Sequence, residues 1–323
     1  MLREVSIEII RKCPNCCLHC SSLSNKQCEE IIPFDKFKEV ILDAAKLGAK
    51  TISLSGGEPF LHDRIIDMVK FVRACQLDCY IYTSGITLDH FNNPVSLPVQ
   101  TLEQISGYAT KLIFNIEAAT ASTYDNIMGT QNCFEKMQVS ALRAADAGLC
   151  TEAHFVPMAI NIDEIDSVVL LCKKLRISRL SFLRLVLHGR AYQNSNLLAL
   201  SAAKYLELKN HLKEIQSQAD LAIRIGVPLS TDTSCHNCEA ATGKLNIRYD
   251  GTVFPCEVFK NYRLETSLGC LKPDSIYCRS LFDIYNHSDY LNRVRVLVSE
   301  RKDAYKCETC IGQHLIRIEE DAK

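Results

Sequence analysis

Residues 5–20 read VSIEIIRKCPNCCLHC. A β-branched apolar run stops at residue 10, and after Arg11, Lys12 the chain places Cys13, Cys16, Cys17 and Cys20 within eight residues. The run has the composition of a strand, so the thiols sit where that strand ends. Two spacings compete there. Cys13-x2-Cys16 is half of a zinc site, whereas Cys13-x3-Cys17-x2-Cys20 is a set of three. What surrounds the strand discriminates between them.

Further apolar, β-branched runs follow at residues 51–54, 79–83, 112–116, 152–156 and 180–185. Amphipathic helical patterns separate them at 33–48, 62–75, 132–148 and 161–175. Pro33 precedes the first helix, and Gly48 and Gly148 stop two of them. Strand–helix alternation at this spacing predicts a parallel sheet with right-handed crossovers. It is either an open doubly wound sheet or a partly closed barrel, and in both the chemistry gathers at the carboxyl ends of the strands. The segments expected there are the cysteine stretch, SGGEP (55–59), TSG (83–85), FNIE (114–117), VPMAIN (156–161) and RLVLHGRA (184–191). All the polar and glycine-rich punctuation therefore falls on one rim. A helical pattern at 201–216 closes the region, and the texture changes near residue 225. Beyond it, short strands at 244–249 and 252–254 flank the turn Asp250-Gly251. The expected division is 1–225 and 226–323, the second part having a thin core of its own that metal ligation would reinforce.

The totals narrow the classes. The chain has 323 residues, 47% hydrophobic and 23% charged, with a net charge of −1. That gives no electrostatic footprint for nucleic acid or an acidic membrane. The N-terminus MLREVSIEII lacks a signal-peptide apolar core, and no run reaches the roughly 18 apolar residues of a membrane span. A cytoplasmic location is expected. Seventeen cysteines in a reducing compartment imply metal or catalysis where they cluster. Four lie between Cys13 and Cys20 and seven between Cys235 and Cys310, while Cys75, Cys79, Cys133, Cys150 and Cys172 read as small hydrophobes.

The loop CPNCCLHC together with SGGEP resembles the radical S-adenosylmethionine (radical SAM) superfamily. Its signature is C-x3-C-x2-C, here Cys13, Cys17 and Cys20, with His19 at the usually aromatic position before the last cysteine. The resemblance implies a partial (β/α)6 barrel of the TIM type. It also implies a 4Fe–4S cluster on those three thiolates, whose fourth iron binds the amino and carboxylate groups of SAM. Cys16 is then a bystander, and a zinc site leaves GGEP without a reason. Gly56, Gly57, Glu58 and Pro59 match the segment that receives the SAM amino group. The glycines would let the backbone approach the ligand, and Glu58 would accept from an ammonium. Ser84 stands where relatives have the asparagine of T-N-G, and Asn115 where they have the serine of S-x-D; Glu117 departs from the aspartate. Ser84 and Asn115 are expected to contact the SAM ribose or carboxylate. Arg184 and the GRA at 189–191 fall where relatives place SAM- or substrate-binding groups.

In the second part, Cys235-x2-Cys238, Gly251-x4-Cys256 and Cys307-x2-Cys310 resemble the SPASM and twitch domains that bind auxiliary clusters. Ile316 occupies the next expected cysteine position, so one auxiliary 4Fe–4S cluster is expected. A zinc ribbon is the competing reading of the two CxxC pairs. Cys270 and Cys278 are further candidates, and a spare thiol is either a hydrogen-atom donor or simply packed. The implied activity is hydrogen-atom abstraction by a 5′-deoxyadenosyl radical, most naturally from a ribosomally made peptide undergoing cross-linking, oxidation or epimerisation. The alternatives are a small substrate such as a sugar or aminoglycoside and, from another class, a non-catalytic iron–sulfur electron carrier or sensor. Expected partners are a flavodoxin- or ferredoxin-type electron donor and, because the first strand begins near residue 4, a separate leader-peptide-binding protein.

Overall fold

A computed structural model describes residues 1–227, 229–230, 238–260, 264–266, 269–300 and 310. The six expected strands form as Glu4–Ile10, Thr51–Gly56, Asp78–Thr83, Lys111–Asn115, Thr151–Phe155 and Arg179–Phe182. They lie side by side in chain order and every neighbouring pair is parallel. A doubly wound sheet would reverse its order part-way, so the unbroken order selects the barrel type. A seventh strand that the periodicity does not announce, Ala222–Ile225, continues the sheet parallel to the sixth. It is short and only half-buried, so its sequence carries little apolar signal. The sixth strand ends at Phe182, earlier than residue 185.

Alternation within each strand divides two environments. Val5, Ile7, Ile52, Leu54, Ile81, Phe114 and Phe155 are buried toward the helices, where helix Phe34–Lys46 supplies Phe37, Val40, Ile41 and Ala44 at helical spacing. The opposite face is polar. Register places Ser6 beside Ser53 and Asn246, and Asn115 beside His154. The concave face of the partial barrel is thus lined with hydrogen-bonding groups already aimed at its rim. Among the scattered cysteines, burial pushes the thiols of Cys79 and Cys172 up to about 12, which keeps them protonated and inert.

The expectation of a separate thin core after residue 225 is corrected. Strand Lys244–Ile247 pairs parallel with the first strand, and Val253–Phe254 adds antiparallel beyond it. Ile247, Phe254, Phe259, Ile284 and Leu291 belong to the same continuous core as the barrel. Helices Leu281–His287 and Asp289–Glu300, unmarked in the sequence reading, complete this packing. Phe282 N donates to Asp43 Oδ2 at 3.2 Å, which seats the first of them on the barrel's own helix Phe34–Lys46. A segment this short shares a core because it cannot bury enough surface alone. Among the described residues, no helix is long and apolar enough to cross a membrane.

One buried ion pair joins the two parts. Lys260 Nζ pairs with Glu8 and also donates to Ser21 Oγ at 3.1 Å and Ser22 Oγ at 3.0 Å. Ser22 Oγ in turn donates to Glu8 Oε1 at 2.8 Å. Both charged side chains are nearly sequestered, Glu8 at 3% and Lys260 at 4% exposure. Removing one member leaves the other charge buried and costs about 3–5 kcal/mol. Lys260→Ala should therefore lower stability by about that amount in anaerobic urea unfolding followed by circular dichroism. The double variant Glu8→Gln/Lys260→Ala should recover part of the loss; equal loss in both variants would contradict the pairing.

Candidate active site

A cleft of about 320 Å³ opens at the carboxyl ends of the strands. Cys13, Cys17 and Cys20 all line it, whereas Cys16 is exposed and is not part of its wall. The set of three is thus the one brought together. Backbone contacts fix the loop that carries it. Cys13 N donates to Asn25 O at 3.0 Å, Cys16 N to Met128 O at 3.0 Å and Leu18 N to Ile127 O at 2.8 Å. From the far side Arg190 braces the loop, its Nε donating to Cys17 O and its Nη2 to Ser24 O, each at 2.7 Å. Arg190 also lines the cleft. The GRA segment therefore serves first as a clamp on the cysteines: a Cβ on Gly189 would lie 2.7 Å from Cys20 O.

The glycine segment lies directly against the cysteine loop. Gly57 N donates to Ile10 O at 2.7 Å and Glu58 N to Lys12 O at 2.9 Å. A Cβ on Gly57 would lie 2.1 Å from Lys12 O and 2.4 Å from Arg11 O. What the glycines admit is the backbone of the cysteine loop itself, although both also line the cleft. Glu58 and Pro59 are buried and are not among the residues lining the cleft. The Glu58 carboxylate accepts from Thr83 Oγ1 at 2.7 Å, Ser84 Oγ at 2.7 Å and Ser84 N at 2.9 Å. Burial pushes it up to about 7 against those bonds. Glu58 thereby holds the loop after the third strand in place, and it is Ser84 that faces the cleft.

Asn115 and His19 also line the cleft. His19 Nε2 lies 3.4 Å from Glu117 Oε1. This contact is not an ion pair at neutral pH. Burial, then the nearby Arg190, lowers His19 to about 4, while burial raises Glu117 to about 8. Glu117 Oε2 accepts from Val156 N at 2.9 Å, but Oε1 and His19 Nδ1 are buried without a hydrogen-bond partner. Arg184 stands outside the lining. Sequence reasoning passed over Glu8, Tyr82, His154, Asn246 and Lys260, which all line the cleft. The signal for most of them was polarity inside otherwise apolar strand runs, such as Glu8 in VSIEII and Asn246 in KLNI.

Beyond the barrel, Cys238, Cys256 and Cys310 lie near enough to influence one another electrostatically, although they do not form a ready-made metal-binding group among the described residues. Burial raises Cys256 strongly, and the neighbouring Cys310 and Cys238 raise it further. Cys235 and Cys307 lie outside the described residues. Cys270 and Cys278 are exposed.

The Radical SAM superfamily profile matches residues 7–172, and that of the iron–sulfur cluster-binding SPASM domain matches residues 235–311. The chain belongs to the radical SAM superfamily and is an enzyme. Among curated proteins it is similar to the PqqA peptide cyclase of Rhizobium meliloti (strain 1021), 25% identical over 297 residues covering 88% of this chain and 76% of the relative. It also resembles an AdoMet-dependent heme synthase of Methanosarcina barkeri (strain Fusaro / DSM 804), 23% identical over 281 residues, 79% of this chain and 76% of that one. Among solved structures, Streptococcus suis SuiB bound to S-adenosylmethionine superposes with a TM-score of 0.73 at 16% identity, covering 92% of this chain and 68% of SuiB. The enzyme anSMEcpe with bound AdoMet and Cp18Cys peptide gives 0.68 at 13% identity, covering 95% and 88%. The structural likenesses bear out the partial barrel.

Membership brings a 4Fe–4S cluster and SAM as cofactors, and the SPASM domain an auxiliary cluster. The residues present fit them. Burial raises the thiols of Cys13 and Cys17 well above the usual range, with Cys17 adding to the effect at Cys13 and Cys20 at Cys17. Thiols so crowded ionise only when metal compensates their charge. The rigid loop already holds them around one cavity.

Two outcomes follow from this geometry. Gly57→Ala should fold with a displaced cysteine loop and lose most of its iron on anaerobic reconstitution, read by iron and sulfide analysis. Full iron retention would show that the loop contact is dispensable. Glu58 and Glu117 are both raised from 4.5, to about 7 and about 8. A carboxyl raised on folding contributes stability below its unfolded value and loses it as pH rises through the folded one. The contribution of these two carboxyls to the stability of the metal-free chain should therefore fall between about pH 4.5 and 8. The fall should be most visible above about pH 6.5, because His19 and His154, lowered by burial, act in the opposite sense below that value. Glu117→Gln should flatten that slope in melting temperatures taken across the range, and an unchanged slope would refute the assignment.

Proposed function

We propose that this chain is a radical SAM enzyme that modifies a ribosomally made peptide by cross-linking, oxidation or epimerisation. The observation that carries the reading is one continuous cleft, walled by the three thiols at the rim and by Asn246, Glu257 and Lys260 from the C-terminal part. In that wall Glu8 Oε2 and Asn246 Oδ1 are buried acceptors without partners. Unmade bonds of this kind cost about 1–3 kcal/mol each, and the N–H groups of a polypeptide satisfy them. The similarity to PqqA peptide cyclases over most of the chain points to the same substrate class.

In this reading Cys13, Cys17 and Cys20 hold the SAM-binding cluster. Ser84, Asn115, His19 and the Gly56–Gly57 backbone face the bound SAM. Glu58 acts by fixing Ser84, and Pro59 by fixing the turn. Cys238, Cys256 and Cys310, with one of Cys235 and Cys307, hold one auxiliary cluster. When bound, the cluster and SAM together supply a 5′-deoxyadenosyl radical able to take a hydrogen atom from carbon. The chain's own part is to keep that carbon beside the rim. The polar concave face binds the substrate, Arg190 and the glycine contact keep the thiols fixed, and neutral His19 and Glu117 add no charge near the reacting groups. A flavodoxin- or ferredoxin-type protein supplies the electron in the cytoplasm.

The test is anaerobic incubation of reconstituted enzyme with SAM, dithionite and a short peptide encoded beside the gene, followed by mass spectrometry. Loss of a hydrogen pair marks oxidation or a cross-link, and uptake of deuterium from heavy water at unchanged mass composition marks epimerisation. Cys13→Ala should abolish either. Release of 5′-deoxyadenosine with an untouched peptide and a modified sugar or aminoglycoside would replace this reading with the small-molecule one.

A further inference from the structure

Asn15 lies between Cys13 and Cys17 in the chain and lines the same cleft. It is only 1% exposed. Its backbone N–H already donates to the Cys13 thiol, which lowers that thiol's pKa against the effect of burial. Its side chain has one satisfied end and one unsatisfied end. Oδ1 accepts a weak bond from Cys133 Sγ at 3.9 Å, which turns the amide so that Nδ2 points away from that thiol. Nδ2 itself is buried with no hydrogen-bond partner. Cys133 is buried and also donates to Gln131 O at 3.7 Å, so the anchor is part of the packed wall.

The unpaired buried atoms in this cleft include His19 Nδ1 and Ser24 Oγ, which can donate or accept, and three whose role is fixed. Glu8 Oε2 and Asn246 Oδ1 are acceptors and stand toward the C-terminal part. Asn15 Nδ2 is a donor, on a lining residue that lies between Cys13 and Cys17 in the chain. An iron–sulfur cube with thiolate ligands offers acceptors only. A donor without a partner next to three cluster-binding thiols therefore matches what such a cluster lacks, and an acceptor there would not.

We infer that the Asn15 side-chain amide donates to a sulfur of the cluster held by Cys13, Cys17 and Cys20, and that this raises the cluster's reduction potential. Adding an electron increases negative charge on the sulfurs, so a hydrogen bond to them stabilises the reduced form more than the oxidised one. Asn15 is a positioning and tuning residue; it touches neither substrate nor SAM in this role. The inference rests on the cluster assignment above, which iron content and a SAM-sensitive signal check separately.

The experiment is an anaerobic, dye-mediated redox titration of the reconstituted full chain by electron paramagnetic resonance. It follows the part of the reduced-cluster signal that changes when SAM is added. In Asn15→Ala the midpoint should become more negative, with the ratio of reduced to oxidised cluster at a fixed potential falling about tenfold, or about 59 mV for one electron. Asn15→Asp, of the same shape but without the donor, should move at least as far. Midpoints within about twofold of wild type in that ratio, with iron retained, would overturn the inference. A second measurement stands whether or not the variants load iron. Wild-type protein labelled with nitrogen-15 in the asparagine side-chain amides should show a hyperfine coupling to the SAM-sensitive signal that persists in Asn115→Ala. Absence of that coupling also overturns it. Wild type without any SAM-sensitive signal would instead defeat the cluster assignment.

Discussion

The site depends on two backbones lying against each other. The turn after the second strand rests on the start of the cysteine loop, with Gly57 and Glu58 donating to Ile10 and Lys12. No side chain fits at Gly57, because its Cβ would meet two carbonyl oxygens well inside contact distance. That contact sets the height of Cys13 above the sheet. It also directs Glu58 inward, where its carboxylate gathers Thr83 and Ser84. One sterically enforced approach thus orders the loops after three consecutive strands.

The remaining loops close on the cysteines from the other side. Arg190 and Gly189, after the sixth strand, hold Cys17, Cys20 and Ser24 through main-chain oxygens. Met128 and Ile127 hold Cys16 and Leu18. The cysteine loop is therefore placed by backbone hydrogen bonds from distant parts of the chain. Such preorganisation matters because three thiols lining one cleft repel one another once ionised, and the loop must hold them until iron arrives.

The C-terminal part contributes to the same cavity through the sheet. Parallel pairing of Lys244–Ile247 with the first strand aligns Asn246 with Ser6, and the turn beyond it delivers Lys260 to Glu8. Burying that pair is tolerable only because Ser21 and Ser22 supply further hydrogen bonds. Both serines directly follow Cys20, so the ion pair also anchors the end of the cysteine loop.

Periodicity alone determined the strand–helix alternation and the rim on which the site lies, while the spacing of the thiols left a pair and a trio open until the resemblance favoured the trio. These are local properties: a strand's alternation and the distance between thiols are written in neighbouring residues. The sequence left two architectures open, and only the pairing order chose the barrel. The resemblance pairs Glu58 with the SAM amino group, and the tertiary structure adds that its carboxylate also bonds Thr83 and Ser84. The seventh strand stayed hidden because it is short and half-exposed, and Lys260 because its partner is 252 residues away in the chain. Contacts of that range depend on how elements stack, and no local pattern of residues encodes them.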